Sequence, residues 1–315
     1  MIWRLIFGRL CTAVLTLVLV SAVIFAIMEV LPGDVASRIL GRDATPESLA
    51  ALRAQLNLTD PALVRYARWL GGVVQGDFGT ALTSSRPITE ILAPRIFNTL
   101  MLSTLAFLIY IPLAVVPALI QAVHREQPVD HALSIVTLAL LSMPDFLLAT
   151  LLLILFVIMV PVLPAMSLVD ASTGVGDYLR ALILPATTLA IVMAAYAVRM
   201  LRDNLIEVLE SEYVRMAELK GLSRRAVLLR HALPNALVPT LNVTALNLGY
   251  LIGGVVIVEK VFGFPGFGSL LVDSLQLRDL PLIETTVLIA AAVYTVANLL
   301  ADIGAILFNP RLRTR

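Results

Sequence analysis

The stretch Leu10–Met28 reads LCTAVLTLVLVSAVIFAIM and contains no charged side chain. An α-helix needs about 20 consecutive apolar residues to cross the hydrocarbon core of a bilayer, and this stretch meets that length. Arg4 and Arg9 precede it, as basic residues precede the apolar part of a signal peptide. However, the apolar run is longer than in a signal peptide, and no small-residue cleavage site closes it. The stretch therefore predicts a retained membrane span.

Five further stretches have the same apolar character, which predicts an all-α membrane protein with six transmembrane helices. These stretches are Thr99–Val123, Ala132–Val160, Ala181–Val198, Asn235–Val258 and Thr285–Phe308. The composition agrees, because 59% of the residues are apolar and 14% are charged, whereas a soluble globular chain has about 45–50% and about 25%. A soluble two-domain enzyme of this length is therefore excluded.

Charge and cysteine content exclude further classes. The net charge is only +1, so there is no reason to expect nucleic acid as a partner. Cys11 is the single cysteine, which rules out an intrachain disulfide and a cysteine metal cluster. The three histidines, His124, His131 and His231, do not have the spacing of metal ligands, so no metal site is predicted.

The distribution of Arg and Lys predicts the orientation in the membrane. An even number of spans places both termini on one side, and outside the first loop most Arg and Lys residues fall on that side. Only Arg180, Lys260 and Arg278 fall on the other side. The positive-inside rule then predicts that both termini are cytoplasmic and that the long first loop faces outward. The predicted divisions are a cytoplasmic N-terminus (1–9), the first span (10–31), an outward helical loop (32–97), a five-span core (98–308) and a cytoplasmic C-terminus (309–315).

The outward loop carries helix signals. Thr45-Pro46-Glu47 gives an N-cap residue, a first-turn proline and an early acid. After Pro61, a second amphipathic stretch places Leu63, Tyr66, Ala67 and Leu70 on one face. This loop is either a cap over the bundle or a surface that receives a soluble partner, and the composition does not separate these alternatives.

The segment 199–239 is too polar to span a membrane, since it interleaves basic and acidic residues. Within it, Glu212–Lys220 is predicted to form a short helix. Gly221 would end that helix with a left-handed backbone. Such a segment suits a docking surface at the membrane better than a face in contact with lipid.

A second short helix is predicted to follow the glycine. Ser223 can cap it, and it would run from Arg224 to Leu233 before Pro234 stops it. Two short helices joined at a glycine form a rigid elbow, which can transmit a push from a peripheral protein to the neighbouring spans.

This segment resembles the "EAA" loop of the permeases of binding-protein-dependent ABC importers, which runs Glu-Ala-Ala, three residues, Gly, nine residues, Ile, any residue, Leu-Pro. The positions that agree with the pattern are Ala217, Gly221, Leu233 and Pro234, and those that depart from it are Arg215, Met216 and His231. Arg215 and His231 instead match the dipeptide/oligopeptide/nickel branch of the family. The patterns of that branch are similar to Tyr213–Leu222 and Arg230–Ala236.

The resemblance to this branch extends over nearly the whole chain. In order, the matching segments are Leu31-Pro32-Gly33-Asp34, Gly76-Asp77-Phe78-Gly79, Arg86-Pro87-Ile88, Glu259-Lys260-Val261-Phe262 with Pro265-Gly266, Asn298-Leu299-Leu300 with Asp302, and Asn309-Pro310-Arg311. By this resemblance the chain is identified as the first of the two permease subunits of such an importer, with the type I ABC importer permease fold.

The resemblance implies the partners. They are a second homologous permease, two ATPase subunits or one two-domain ATPase, and a periplasmic or lipid-anchored substrate-binding protein, at a bacterial inner membrane. ATP and Mg²⁺ would be bound by the ATPases and no cofactor by this chain. The absence of a phosphate-binding loop at Lys220 or Lys260 fits this division. The residues implied to couple to the ATPase are Arg215, Ala217, Lys220, Gly221, His231, Leu233 and Pro234.

The resemblance implies transport of dipeptides, oligopeptides or similar small solutes, although nickel chelates and some sugars share the same pattern. Candidates for the translocation path are Asp145, Asn242 and Asn247, since polar groups in spans are costly and often functional. Asp145 can equally favour the helix start after Pro144, and the asparagines can bond neighbouring helices. Two rival functions are a proton-coupled secondary transporter with Asp145 and Glu284 as its relay, and a structural assembly subunit.

Overall fold

The computed structural model describes the backbone of residues 2–30, 35–41, 44–56, 58–170 and 172–308. It describes the side chains of residues 8–30, 35–37, 39–41, 44–56, 58–170, 172–240, 254–297 and 299. The helices are α1 (Ile2–Val30), α2 (Val35–Leu40), α3 (Pro46–Gln55), α4 (Ala62–Val74), α5 (Ile88–Val123), α6 (Pro128–Leu141), α7 (Asp145–Leu153), α8 (Val175–Leu209), α9 (Glu212–Leu219), α10 (Arg224–Ala226), α11 (Leu233–Phe262), α12 (Phe267–Leu277) and α13 (Leu280–Phe308). Two π-helical segments, Ile154–Met159 and Val227–Ala232, extend α7 and join α10 to α11.

The all-α prediction is confirmed. Among the described residues, four helices are long and apolar enough to cross a membrane: Gly8–Val30, Ile88–Val123, Val175–Leu209 and Leu280–Ala297. Two further pairs of helices, each interrupted by a short break, pass the same test together, which gives up to six spans. The predicted segments Leu31–Asp34 and Asn309–Arg311 lie outside the described residues.

The third predicted stretch, Ala132–Val160, is not straight. α6 and the helix after it, Asp145–Met159, bend by 110° at the break between them. Pro144 lies in this break with an extended backbone, at φ −62° and ψ 144°. Proline cannot donate the hydrogen bond that would continue α6, so the chain turns there and starts a new helix at Asp145.

The chain divides into two compact units. One, called here the outer-terminal unit, consists of residues 1–98 and 266–315, and the other, the middle unit, of residues 99–265. In the outer-terminal unit a hydrophobic core forms around Ile88, Leu92 and Leu282. The backbone N–H and hydroxyl of Thr83 both donate to one Asp279 carboxylate oxygen at 2.8 Å, which ties the segment before α5 to the start of α13.

The predicted helix start at Thr45 is confirmed. The N–H of Ser48 donates to the Thr45 hydroxyl, and the N–H of Thr45 donates to the Ser48 hydroxyl at 3.0 Å, which forms a reciprocal capping box. The predicted amphipathic helix after Pro61 is confirmed as α4, although Leu63 of its apolar face is 81% exposed. Tyr66, on the same face, anchors α4 to α1: its hydroxyl lies 2.8 Å from that of Ser21 and its ring centre lies 5.1 Å from that of Phe25.

In the middle unit α8 is the central helix. It contacts α6, α7 and α11. Its buried side includes Ala186, Ala190, Ala194 and Ala197, and small side chains of this kind let helices approach closely. The predicted apolar stretch ends at Val198, but α8 continues to Leu209. Its last turns are polar, and they remain helical because their backbone hydrogen bonds do not depend on apolar side chains. It therefore leads directly into the polar segment that follows.

Candidate functional site

The candidate site is the polar segment between α8 and α11, called here the elbow (residues 210–234). Its first helix, α9, confirms the predicted helix to within one residue. Ser211 precedes α9 in an extended conformation, and Glu212 lies in the first turn. A carboxylate there is favourable, because the N-terminal end of a helix carries a partial positive charge.

Gly221 ends the first helix with the predicted left-handed backbone, at φ +81°. The N–H of Gly221 donates to the carbonyl of Glu218 at 2.9 Å, and the N–H of Leu222 donates to the carbonyl of Ala217 at 3.3 Å. This pair of bonds is the Schellman motif, which satisfies the last carbonyl groups of a helix. A Cβ at Gly221 would meet nothing within 4 Å. The need for glycine therefore comes from the backbone angle and not from lack of space.

The second helix starts as predicted and ends elsewhere. The hydroxyl of Ser223 accepts a hydrogen bond from the N–H of Ala226 at 3.3 Å, which confirms the cap. Pro234 does not stop the helix: the chain passes through the π-helical segment into α11, which continues to Phe262. Pro234 is tolerated because it lies in the first turn of α11, where its missing N–H breaks no hydrogen bond within the α-helix.

The elbow has a small core of its own. Val214 and Ala217 of α9 pack with Val227 of the π-helical segment, and Val208 and Leu209 at the end of α8 pack against them. Burial of these side chains fixes α9 against both of its neighbours in the chain.

Two hydrogen bonds to one carbonyl reinforce this packing. The Tyr213 hydroxyl donates to the backbone carbonyl of His231 at 3.2 Å, and the Asn235 side-chain amide donates to the same carbonyl at 2.7 Å. The Tyr213 bond attaches α9 to the π-helical segment, and the Asn235 bond ties the same carbonyl to the first turn of α11.

The outer side of the elbow presents apolar side chains to solvent. Met216, Leu219 and Leu222 are all exposed, and Leu219 is 76% exposed. Charged side chains that are also exposed surround them, namely Arg215, Glu218, Lys220, Arg224 and Arg225. Contiguous exposed apolar residues bordered by polar ones are typical of a protein-binding surface. This apolar ridge (Met216, Leu219 and Leu222) was not predicted, although its spacing of three residues was a helical signal.

The predicted coupling residues have two kinds of environment. Ala217 is buried in the elbow core, and Leu233 packs against a second core that includes Leu201 and Leu205 of α8. Arg215, Lys220, Gly221 and Pro234 are exposed, and His231 is half-buried. The structure therefore places some of these residues inside the elbow and others on its surface.

A buried ion pair supports the end of α8, and it was not predicted. The Asp130 carboxylate is 1% exposed and accepts hydrogen bonds from Nε and a terminal nitrogen of Arg202 at 2.8 and 2.7 Å. The N–H of Glu126 donates to the same carboxylate at 3.0 Å. An exposed second pair joins Arg125 to Glu210. Both pairs hold the α5–α6 connection against the helix that leads into the elbow.

Asp145, a candidate for the translocation path, lies in the first turn of α7. It lines a cavity of about 300 Å³. Met143 lies on the same side of this cavity, and Val192, Met193 and Tyr196 of α8 form the other side. The side chains of the other two path candidates, Asn242 and Asn247, lie outside the described residues.

Among the described residues, no three His, Cys, Asp or Glu side chains come together as a group that could hold a metal ion. His124, His131 and His231 therefore do not form a cluster in this part of the chain.

Comparison with known proteins places the chain in a family. The family described as "binding-protein-dependent transport system inner membrane component" matches residues 110–314, and the N-terminal domain of the same membrane components matches residues 1–103. A putative peptide transport system permease protein of Brucella melitensis is 36% identical over 313 residues, which cover 99% of each chain.

Two further relatives have similar coverage. A probable peptide ABC transporter permease protein of Sinorhizobium fredii is 34% identical over 98% of each chain. A glutathione transport system permease protein of Salmonella paratyphi A is 34% identical over 97% of each chain.

Proposed function

The chain belongs to the family of binding-protein-dependent transport system inner-membrane components, and from this membership we propose that it forms half of the translocation path for dipeptides, oligopeptides or similar small solutes. It is a multi-pass inner-membrane permease subunit of an ABC importer and not an enzyme. Relatives named as peptide and glutathione permeases support a peptide-like solute.

The elbow is the surface that couples this subunit to an ATPase. One observation carries this assignment. The second half of the elbow runs without a break into α11, and its first half, α9, packs on the end of α8. A force on the elbow therefore acts on two long helices at once, as rigid-body switching requires. Arg215, Lys220 and the apolar ridge provide the contacts with the ATPase, and Ala217, Gly221, His231, Leu233 and Pro234 maintain the shape of the elbow.

The partners in this proposal are a second homologous permease, two ATPase subunits or one two-domain ATPase, and a substrate-binding protein on the outer face. ATP and Mg²⁺ are bound by the ATPases. Both termini lie in the cytoplasm, so the elbow faces the ATPases and the loop 32–97 faces outward. The core 98–308 contains the coupling segment 199–239.

The path is assigned to the Asp145 cavity together with Asn242 and Asn247. The break between α6 and α7 borders this cavity, since Leu141, Met143 and Asp145 line it, and irregular backbone at membrane depth is tolerated where it lines a water-filled cavity. A carboxylate at this position can take the ammonium group of a peptide. The rival function, a proton-coupled secondary transporter with Asp145 and Glu284 as its relay, finds no support among the relatives.

The test is purification of the tagged chain from its native membrane in mild detergent, followed by reconstitution into proteoliposomes. We expect a second permease and one or two ATPases to co-purify, and we expect uptake of a labelled dipeptide to need both ATP and the binding protein. A chain that purifies alone and drives uptake with a pH gradient in the absence of ATP would contradict the proposal.

A further inference from the structure

The outer-terminal unit contains a cavity of about 350 Å³ that is separate from the elbow. It lies among the C-terminal part of α1, helix α4, the segment 77–82 and the beginning of α13. Its apolar lining includes Phe25, Leu58 and Phe78, and its polar lining includes Arg65, Trp69 and Glu284. A volume at the low end of the range for ligand pockets suits a molecule the size of an amino acid or a dipeptide.

Three buried polar atoms of the lining residues have no hydrogen-bond partner among the described residues. They are Oε1 of Glu284, Nε of Arg65 and Nε1 of Trp69. Glu284 is only 3% exposed. Leaving a buried donor or acceptor unsatisfied is costly, and more so for a charged group. Three such atoms around one cavity therefore indicate that the cavity binds a ligand with complementary groups.

Among the charged residues that line the cavity, Glu284 is the one with an unsatisfied buried carboxylate oxygen. The two lining arginines already have partners, since Arg65 pairs with Glu29 at 2.5 Å and Arg68 pairs with Asp60 at 3.0 Å. An ammonium group on a ligand, which carries three N–H donors, would satisfy the Oε1 oxygen of Glu284.

The donors lie together on one helix. Arg65 and Trp69 are four residues apart on α4, a spacing that puts them on the same face. Both Nε of arginine and Nε1 of tryptophan are N–H donors and cannot accept a hydrogen bond. A ligand oxygen, either a carbonyl or an anionic one, satisfies them.

The wall of the cavity is tightly built beside these residues. The Asp77 carboxylate accepts the N–H of Gly79 at 2.9 Å, and a Cβ on Gly72 would lie only 2.8 Å from the carbonyl oxygen of Asp77. Glycine at 72 therefore allows the segment after α4 to fold back closely against the helix. A fixed wall of this kind preorganises a binding site, which reduces the entropy lost on binding.

We propose that this cavity binds a small molecule through a primary ammonium group, held by Glu284, and a neighbouring oxygen, held by Arg65 and Trp69. Two sources carry this pair of groups: the amino end of a peptide or amino acid, and the ethanolamine headgroup of a lipid. The proposal does not depend on the coupling role of the elbow, because all the residues involved belong to the outer-terminal unit.

Trp69 provides a direct readout. The chain has 2 tryptophans, so the variant Trp3→Phe leaves Trp69 as the sole source of tryptophan fluorescence. This full-length chain, in nanodiscs of phosphatidylcholine alone, would be titrated with alanyl-alanine and with N-acetyl-alanyl-alanine. We expect a saturable change of emission with alanyl-alanine and at least about 10-fold weaker binding of the acetylated peptide, which lacks the ammonium group.

The matched variants are Glu284→Gln and Glu90→Gln in the same background. Glu90 is an exposed carboxylate at the start of α5 that does not line the cavity. Glu284→Gln should weaken alanyl-alanine binding by about 10- to 100-fold, in line with the strength of a hydrogen bond to a charged group. Glu90→Gln should leave it unchanged.

A second set of nanodiscs contains phosphatidylethanolamine. A shift of Trp69 emission by this lipid, lost in Glu284→Gln and accompanied by weaker binding of alanyl-alanine, would support the ammonium site and identify the lipid as its ligand. The proposal would be overturned if the two peptides bound equally, or if Trp69 emission responded to neither peptide nor lipid. Both results come from the chain with Glu284 intact, so misfolding of a Glu284 variant cannot explain them. Neither result would affect the proposed function, which is tested by ATP-dependent uptake.

Discussion

The carboxylate of Asp130 and the guanidinium of Arg202 form a two-pronged ion pair, with N–O distances of 2.8 and 2.7 Å, although 72 residues separate them in the chain. The pair joins the first turn of α6 to α8, a few residues before the elbow begins. Arg202 is partly exposed while Asp130 is buried, so the pair closes the α5–α6 connection over the end of α8.

Breaking this pair should destabilise the middle unit. Asp130→Asn removes the buried charge that pairs with Arg202 and leaves Arg202 only its contact with the exposed Asp203 at 3.0 Å. We expect the free energy of unfolding in detergent to fall by about 2–3 kcal/mol. Denaturant unfolding of Asp130→Asn, Arg202→Gln and the double variant would measure a coupling energy, which we expect to be at least about 1 kcal/mol. Arg125→Gln is the control, since the exposed Arg125–Glu210 pair should contribute less than about 1 kcal/mol. Equal losses for the buried and the exposed pair would contradict the assignment.

Gly221 should be required for its backbone angle alone. An L-residue with a left-handed backbone costs about 1–2 kcal/mol, and a β-branched one costs more, whereas asparagine tolerates this conformation better. We therefore expect Gly221→Val to reduce uptake at least about fivefold while ATP hydrolysis and assembly persist, and Gly221→Asn to remain close to the parent.

The matched control for Gly221 is Gly174→Val. Gly174 also has open space around it but has an ordinary φ of −61°. Uptake and ATP hydrolysis measured side by side in proteoliposomes distinguish uncoupling from loss of the complex. Normal uptake by Gly221→Val would show that the Schellman turn is not needed for coupling.

The apolar ridge should be the part of the elbow that contacts the ATPase. Burying an exposed leucine side chain in an interface contributes about 1.5–3 kcal/mol, so Leu219→Asp should weaken ATPase binding by about 10-fold or more. The measurement is the amount of ATPase that co-purifies with the tagged permease over a series of detergent washes. Leu168→Asp changes another exposed leucine, outside the elbow, and should have no effect. Undiminished recovery of the ATPase with Leu219→Asp would exclude the ridge from the contact.

Features set by neighbouring residues could be predicted from the sequence. The N-cap at Thr45, the Ser223 cap and the left-handed turn at Gly221 each depend on groups within a few residues, and the structure confirms all three. Local hydrogen-bonding chemistry specifies such features without any knowledge of the fold.

Features set by distant contacts could not be predicted. The sequence predicts that Pro234 stops a helix, but the π-helical segment before it lets the chain continue into α11. The periodicity of α4 places Tyr66 on its apolar face but does not identify its partners, Ser21 and Phe25 of α1. For the Asp130–Arg202 pair no periodicity or motif gives a signal, because only the packing of α6 on α8 brings the two residues together.

Substitution of Asp145 distinguishes its two possible roles, a residue that favours the start of α7 and a residue of the translocation path. If the carboxylate only favours the start of α7, replacing it by asparagine costs less than about 1 kcal/mol of stability and leaves uptake unchanged. If it takes the ammonium group of a peptide in the path, Asp145→Asn should lower the rate of dipeptide uptake by about 10-fold or more, with unfolding unaffected.

The measurement for Asp145 is uptake from binding protein saturated with labelled dipeptide, so that the selectivity of the binding protein does not enter. Asp177→Asn is the control, because Asp177 also lies in the first turn of a helix, α8, and is exposed. Asp145→Glu keeps the charge and should recover part of the rate. Full uptake by Asp145→Asn would remove Asp145 from the path and leave it as a residue that favours the start of α7.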